Sequence, residues 1–183
     1  MIGRPVIRLD SVNSTQDILF RLAALGAGEG TTVVAGYQSG GRGRAGRAWV
    51  APPRQALLFS VLFRPSVPPD RLSPLSILVA DAIATTLAQQ FGLDPAIKWP
   101  NDVLVHNSKL CGILIQARPG LAVAGIGLNV SIPPAELPDG ATSLEAEIGR
   151  PVVQDALLHT LLRSIGERYG DVLDGDLDDA MRR

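Results

Sequence analysis

A few short segments of the chain carry residue types that could do chemistry. The first, Gln38–Trp49, reads QSGGRGRAGRAW and packs four glycines (Gly40, Gly41, Gly43, Gly46) with three arginines (Arg42, Arg44, Arg47). Glycine lets a backbone bend freely and approach a ligand closely. Arginine offers permanently charged, bidentate contacts suited to phosphate. Together they predict a loop that orders around an anion. The segment lacks the GxxxxGK[ST] spacing of a Walker loop, and although GRGRAG has GxGxxG spacing, no helical pattern follows Trp49. A plain basic connection between strands, or an Arg-Gly tract for RNA, would use the same residue types. RGG-type tracts repeat in disordered tails, however, and this one is single and flanked by apolar runs.

In Lys98–Val103, KWPNDV, Pro100 drives Trp99 toward an extended conformation and Asn101-Asp102 favours an Asx-type turn. A lysine, an amide and a carboxylate are thus presented where a strand ends, although most such hexapeptides are ordinary connections. Lys109–Gln116, KLCGILIQ, follows. Gly112 removes a side chain there, as a neighbour lying against the backbone would require. Taken alone, Lys109 reads as a solvated residue before a strand. Cys111, in an apolar run with no base evident, reads as a small core residue. In Gly125–Val130, GIGLNV, two alternating glycines bare one strand face to a ligand or a tightly crossing element, and Asn129 adds a fixed donor and acceptor. Asn13-Ser14-Thr15 reads first as a helix N-cap. Such a start also offers exposed N–H groups to a polar ligand.

The elements that must hold these segments follow from periodicity. Val6–Leu9 reads as a short strand, Ser14–Leu25 as a helix, and Thr31–Tyr37 and Leu57–Phe63 as strands, the last a nearly continuous apolar run. Ser73-Pro74 starts an amphipathic helix that ends near Phe91-Gly92. Strands are expected at Ala96–Trp99, Val103–His106, Leu110–Ala117 and Leu121–Val130. A last helix begins near Pro151, burying Leu158, Leu161, Leu162, Ile165 and Tyr169. Ile132–Gly140, IPPAELPDG, is the strongest loop signal and is expected to separate the main body from a C-terminal helical tail. Strands clustered between helices indicate an α+β domain on a mixed or antiparallel sheet. Regular βαβ repetition is absent, which argues against a Rossmann fold.

Composition removes other classes. A length of 183 residues fits one domain with a real core, and 46% hydrophobic against 19% charged residues argues against disorder. The net charge of −1 supplies no global field for nucleic acid. The one cysteine excludes a disulfide framework, and His106 and His159 are too few for a histidine cluster. The charged start MIGRPVIRLD is no signal peptide, and no run approaches a membrane span. A soluble cytoplasmic domain is therefore expected. The acids from Glu167 to Asp179 predict a solvated acidic end. Fifteen of the seventeen cations are arginine, as a codon bias would produce; the two lysines, Lys98 and Lys109, each open one of the segments above.

In order and wording, NST, YQSGGRGRAGRAW, KWPNDV, KLCGIL and GIGLNV resemble the catalytic domain of biotin protein ligases (biotin–acetyl-CoA-carboxylase ligases), over about residues 10–145. The resemblance implies a class II synthetase-like fold of the biotin/lipoate ligase type. It also implies a two-step reaction that uses ATP and Mg²⁺: biotin is activated as biotinyl-5′-adenylate, then passed to a lysine of a biotin carboxyl carrier domain. Carried over by position, Ser14, Thr15 and Gln38 look like partners of biotin's ureido ring. Gly41 and Arg42 look like contacts at the hinge of the binding loop, Arg44 like the residue retaining the adenylate, and Arg47 like a phosphate anchor. Trp49 resembles the aromatic near the adenine, and Lys98 falls with the ATP-binding residues. Asn101 and Asp102 resemble the pair at the phosphate and metal side, with the metal ligands themselves left open. Lys109 resembles the lysine at biotin's carboxylate and the α-phosphate. Gly112 and Gly127 resemble the strand floor beneath biotin, and Asn129 the adenine-side contact. Lys109, Arg44 and Asp102 form the implied catalytic set.

The chain departs from the pattern at Gln16, where the family's S-T-N has asparagine; little effect is expected. Residues 1–183 are expected to form a single catalytic domain. Neither a preceding winged helix nor the small β-barrel that many members carry afterwards is expected, and hence no DNA partner. A lipoate or octanoate ligase or transferase of the same fold, and an inactive biotin- or nucleotide-binding module, are the alternatives. The glycine-arginine loop speaks against the first.

Overall fold

The computed structural model describes residues 1–66, 69 and 72–174. In chain order its elements are β1 (Val6–Val12), α1 (Thr15–Ala24), β2 (Thr32–Gln38), β3 (Ala56–Phe63), α2 (Ser73–Phe91), β4 (Pro95–Lys98), β5 (Asp102–Val105), β6 (Ser108–Arg118), β7 (Leu121–Asn129), α3 (Leu144–Ile148) and α4 (Gln154–Asp174). The strands form one sheet in the order β1-β2-β3-β7-β6-β5-β4. Helix α1 carries the chain from β1 to a parallel β2, and every other neighbouring pair is antiparallel. The sheet is therefore mixed and flanked by helices.

Period-two alternation divides the central strands between two faces. Phe59, Val61 and Phe63 of β3, with Ala124, Ile126 and Leu128 of β7, point into the larger core beneath α2 and α4. Phe59 and Phe63 are fully buried there, and truncating either to alanine costs about 3–5 kcal/mol. The alternate residues turn to the other face, where Leu62 and Val123 meet Leu19 of α1 and Val33 of β2. Beyond the N-terminus of α1, no helix among the described residues covers that second face. In line with Leu62 and Val123 it presents Ser60, Gly125 and Gly127.

Two expectations need correction. Helix α4 is part of the body, since Leu157, Leu158, Leu161, Leu162, Ile165 and Tyr169 all enter the larger core. It starts at Gln154, not near Pro151. The segment 132–140 is irregular apart from one 3₁₀ turn at Pro134–Glu136, but α3 follows it unforeseen, a five-residue helix closed by Gly149 at φ +68°. The acidic run expected at the C-terminal end reaches past residue 174, outside the described residues.

Candidate active site

One cleft lies on the uncovered face, bounded by the N-terminus of α1, the 38–49 loop, the end of β5 and the facing strands β6 and β7. Ser14 sits at the N-cap position with extended backbone (φ −155°, ψ 135°), yet its hydroxyl makes no capping bond. Its oxygen instead accepts from Arg42 Nη2 at 3.4 Å, and the hydroxyl lines the cleft. The Thr15 N–H and Oγ1 both donate to Gln38 Oε1, at 2.7 and 2.9 Å, and Thr15 Oγ1 also meets Ser60 Oγ at 2.7 Å. With Oε1 so occupied, the Gln38 amide nitrogen is the donor that remains for a ligand. Ser14, Thr15 and Ser60 are buried, so this end of the cleft is neutral, polar and largely shielded from water.

The opposite end is charged. Lys109 Nζ lies 2.8 Å from Asp102 Oδ1 and 5.5 Å from the centroid of the Trp49 ring. Asn101 Nδ2 donates to Asp102 Oδ1 and to the Ile113 carbonyl, both at 3.1 Å, and Arg44 Nη1 donates to Asn101 Oδ1 at 3.2 Å. The register shift between Val103 and Leu104 in the β5–β6 hairpin brings Lys109 opposite Leu104 and Gly112 opposite Asp102. The backbone of Lys109 is tied to the following loop by Lys109 N–H to Gly140 O at 2.7 Å and Thr142 N–H to Lys109 O at 2.9 Å.

The loop itself is folded back by a bridge between Arg42 and Ala48 and a turn at Arg44–Gly46, with Ala45 at φ +55° and Gly46 at +72°. Its three arginines differ. Arg42 Nη2 bonds Asp17 Oδ1 at 2.7 Å and Gln116 Oε1 at 3.3 Å, clipping the loop to α1 and β6. Arg44 and Arg47 are exposed and have no ion-pair partner among the described residues. They are free for an anion.

The close neighbour that Gly112 and Gly127 require is the Trp49 indole. A Cβ on Gly112 would fall 2.8 Å from the ring, and one on Gly127 closer still. Trp49 Nε1 is buried there without a hydrogen-bond partner, which costs about 1–3 kcal/mol. Gly125 faces the Gln16 side chain instead. Cys111 points into the core, where burial pushes its thiol well above the ordinary range. No nucleophile is found in it.

The sequence-predicted residues therefore converge, with three exceptions. Gly41 lies behind the loop, its carbonyl accepting the Trp49 N–H at 3.0 Å. Asn129 is buried and donates to Thr142 O at 3.0 Å, next to the strap that holds Lys109. Lys98 is not brought in: it is exposed on the edge strand β4, because its strand ends before the chain turns back through Pro100 to Asn101. Gln16, Gly125 and Leu114 line the cleft without having been singled out as site residues. The signals available for Gly125 and Gln16 were the first glycine of GIGLNV and the departure from S-T-N.

A neutral hydrogen-bonding end joined to a cationic end suits a ligand with an uncharged polar head and an anionic tail, placed to meet a phosphate. The chain belongs to the biotin/lipoate A/B protein ligase family, whose pattern matches residues 9–132. Among relatives, it is 33% identical over 182 residues to the bifunctional ligase/repressor BirA of Bacillus subtilis (94% of this chain, 56% of that one). It is 38% identical over 136 residues to the biotin–[acetyl-CoA-carboxylase] ligase of Mycobacterium tuberculosis (72% and 51%). In structure it is similar to the biotin protein ligase of Aquifex aeolicus in complex with biotin and ATP, with a TM-score of 0.84, 29% identity, and coverage of 96% of this chain and 75% of that one. The chain spans about half the length of the first two relatives. Because one of them is a repressor as well as a ligase, the expectation of no DNA partner draws no support from these likenesses.

Proposed function

We propose that the chain activates biotin with ATP and transfers it to a lysine of a biotin carboxyl carrier domain. In the first step a biotin carboxylate oxygen bonds to the α-phosphorus of ATP. The bond from that phosphorus to the β-phosphate bridging oxygen breaks, and pyrophosphate leaves. In the second, the acceptor lysine nitrogen bonds to the acyl carbon, the acyl–oxygen bond to AMP breaks, and the amine gives up a proton.

The observation that carries this reading is the division of one cleft into a neutral end (Ser14, Thr15, Gln38) and a cationic end (Arg44, Arg47, Lys109). A carboxylate and a triphosphate repel, so cations fixed where charge develops supply the main electrostatic gain. The relatives' names and the biotin–ATP complex of the Aquifex enzyme support it. The glycine-arginine loop disfavours lipoate as the acid.

For Mg²⁺, no group of three or more His, Cys, Asp or Glu side chains capable of holding a metal occurs among the described residues. Asp102 is the carboxylate that lines the cleft. That donor set fits an ion arriving on the nucleotide's phosphates with one protein carboxylate, the usual habit of Mg²⁺, rather than a dedicated cage. When bound, the ion would neutralise phosphate charge. No helix among the described residues is long and apolar enough to cross a membrane, and action in the cytoplasm is part of the proposal.

ATP–pyrophosphate exchange tests the reading. It is expected with biotin and absent with lipoate or octanoate. Exchange driven by lipoate would establish the alternative acid, and no exchange with any acid, despite biotin binding, would reduce the chain to a passive binder.

A further inference from the structure

Gln16 is only 3% exposed, yet it lines the cleft. Its Nε2 donates to the carbonyls of Leu114 on β6, at 3.0 Å, and Val123 on β7, at 3.3 Å. Two acceptors on one side leave a single sensible orientation for the amide, with nitrogen toward the sheet. Its Oε1 takes no hydrogen bond among the described residues, nor is it sealed in the interior. The cleft is the opening available to it. The side chain reaches this place because position 125 is glycine: a Cβ there would lie 2.7 Å from Gln16 Cδ. An immobilised acceptor therefore lines the same cleft as a donor, the Gln38 amide nitrogen, whose own Oε1 is occupied by Thr15. A donor and an acceptor in one pocket complement a group that carries C=O and N–H side by side, as a cyclic urea does.

Building on the proposed function, we infer that Gln16 is a specificity-determining residue, its Oε1 accepting a hydrogen bond from a ring N–H of biotin's ureido group. The side-chain length matters, since glutamine spans from α1 to the β6–β7 carbonyls and is held there. A site that hydrogen-bonds a substrate N–H discriminates strongly against an analogue lacking it, because its own buried group is left unpaired.

The test uses biotin-dependent ATP–pyrophosphate exchange on the full chain with two acids: biotin, and the isosteric analogue in which ring oxygens replace both N–H groups. Gln16→Met is expected to raise KM for biotin about tenfold with kcat changed less than about twofold, as loss of one buried hydrogen bond implies. The same substitution should leave KM for the analogue unchanged, because the bond is already missing. Gly125→Ala, which pushes the Gln16 side chain aside, should reproduce the effect, and combining the two should add little. Equal loss for both acids, or no loss for either, overturns the assignment. If Gln16→Met does not fold, Gly125→Ala carries the same comparison. Failure of the wild-type chain to exchange at all would instead refute the underlying function.

Discussion

At the residue scale, the Lys109 ammonium shares its charge between the Asp102 carboxylate, 2.8 Å away, and the face of Trp49. A compact ammonium can exchange those partners for carboxylate and phosphate oxygens without the planar space a guanidinium requires. Lys109→Ala should lower biotin-dependent exchange about 10²–10³-fold, the usual cost of removing one donor to developing charge. Biotin binding by calorimetry should survive, and a normal exchange rate would sink the assignment. Arg44, whose side chain donates to Asn101, is expected to keep the adenylate in place. Arg44→Gly should release it and label bystander proteins, and unchanged acceptor selectivity would count against that role. Cys111 makes a stability prediction. Its thiol is pushed up by burial first, with Asp102 adding and Lys109 opposing. A group whose pKa is higher folded than unfolded contributes stability in full below its unfolded value and loses it as pH rises. Melting temperature should therefore fall as pH climbs above about 9, the ordinary thiol value, and fall less steeply in Cys111→Ala. Parallel slopes in the two proteins would contradict the assignment.

At the element scale, the 38–49 loop is fastened at one end by Arg42 to Asp17 and laid across the sheet at the other by Trp49. The indole covers the glycine floor of β6 and β7, so a ligand resting on that floor must displace it. The unpaired Nε1 lowers the cost of leaving. The chain has two tryptophans. In Trp99→Phe the emission of Trp49 should shift to the red when biotin alone is added, and binding that leaves the spectrum unchanged would contradict the displacement. This arrangement was half legible beforehand. That Gly112 and Gly127 needed a close neighbour followed from their strand positions. That the neighbour is a residue from the loop itself did not, because the contact joins segments far apart in sequence. The placement of Gln16 was not legible for a similar reason: it depends on Gly125, across the sheet.

At the scale of the whole molecule, the long apolar runs read correctly as strands, since burial on both faces leaves little ambiguity. The mixed sheet was foreseen as a class. Its order was not, because the β1–β2 parallel pairing arises from where α1 packs rather than from any local pattern. Helix α3 escaped notice because five residues give too few turns for a periodicity. Of the two lysines, Lys109 lies in the cleft while Lys98 is exposed at the sheet edge. What this architecture accomplishes is to set a sheltered neutral pocket beside a cationic one on a single uncovered face. The most direct test is to incubate the chain with biotin, Mg²⁺ and α-labelled ATP, without any carrier domain, and resolve the products. Label appearing in biotinyl-5′-adenylate, one per site and only when biotin is present, is the predicted result. Biotin bound with all label remaining in ATP would contradict the account.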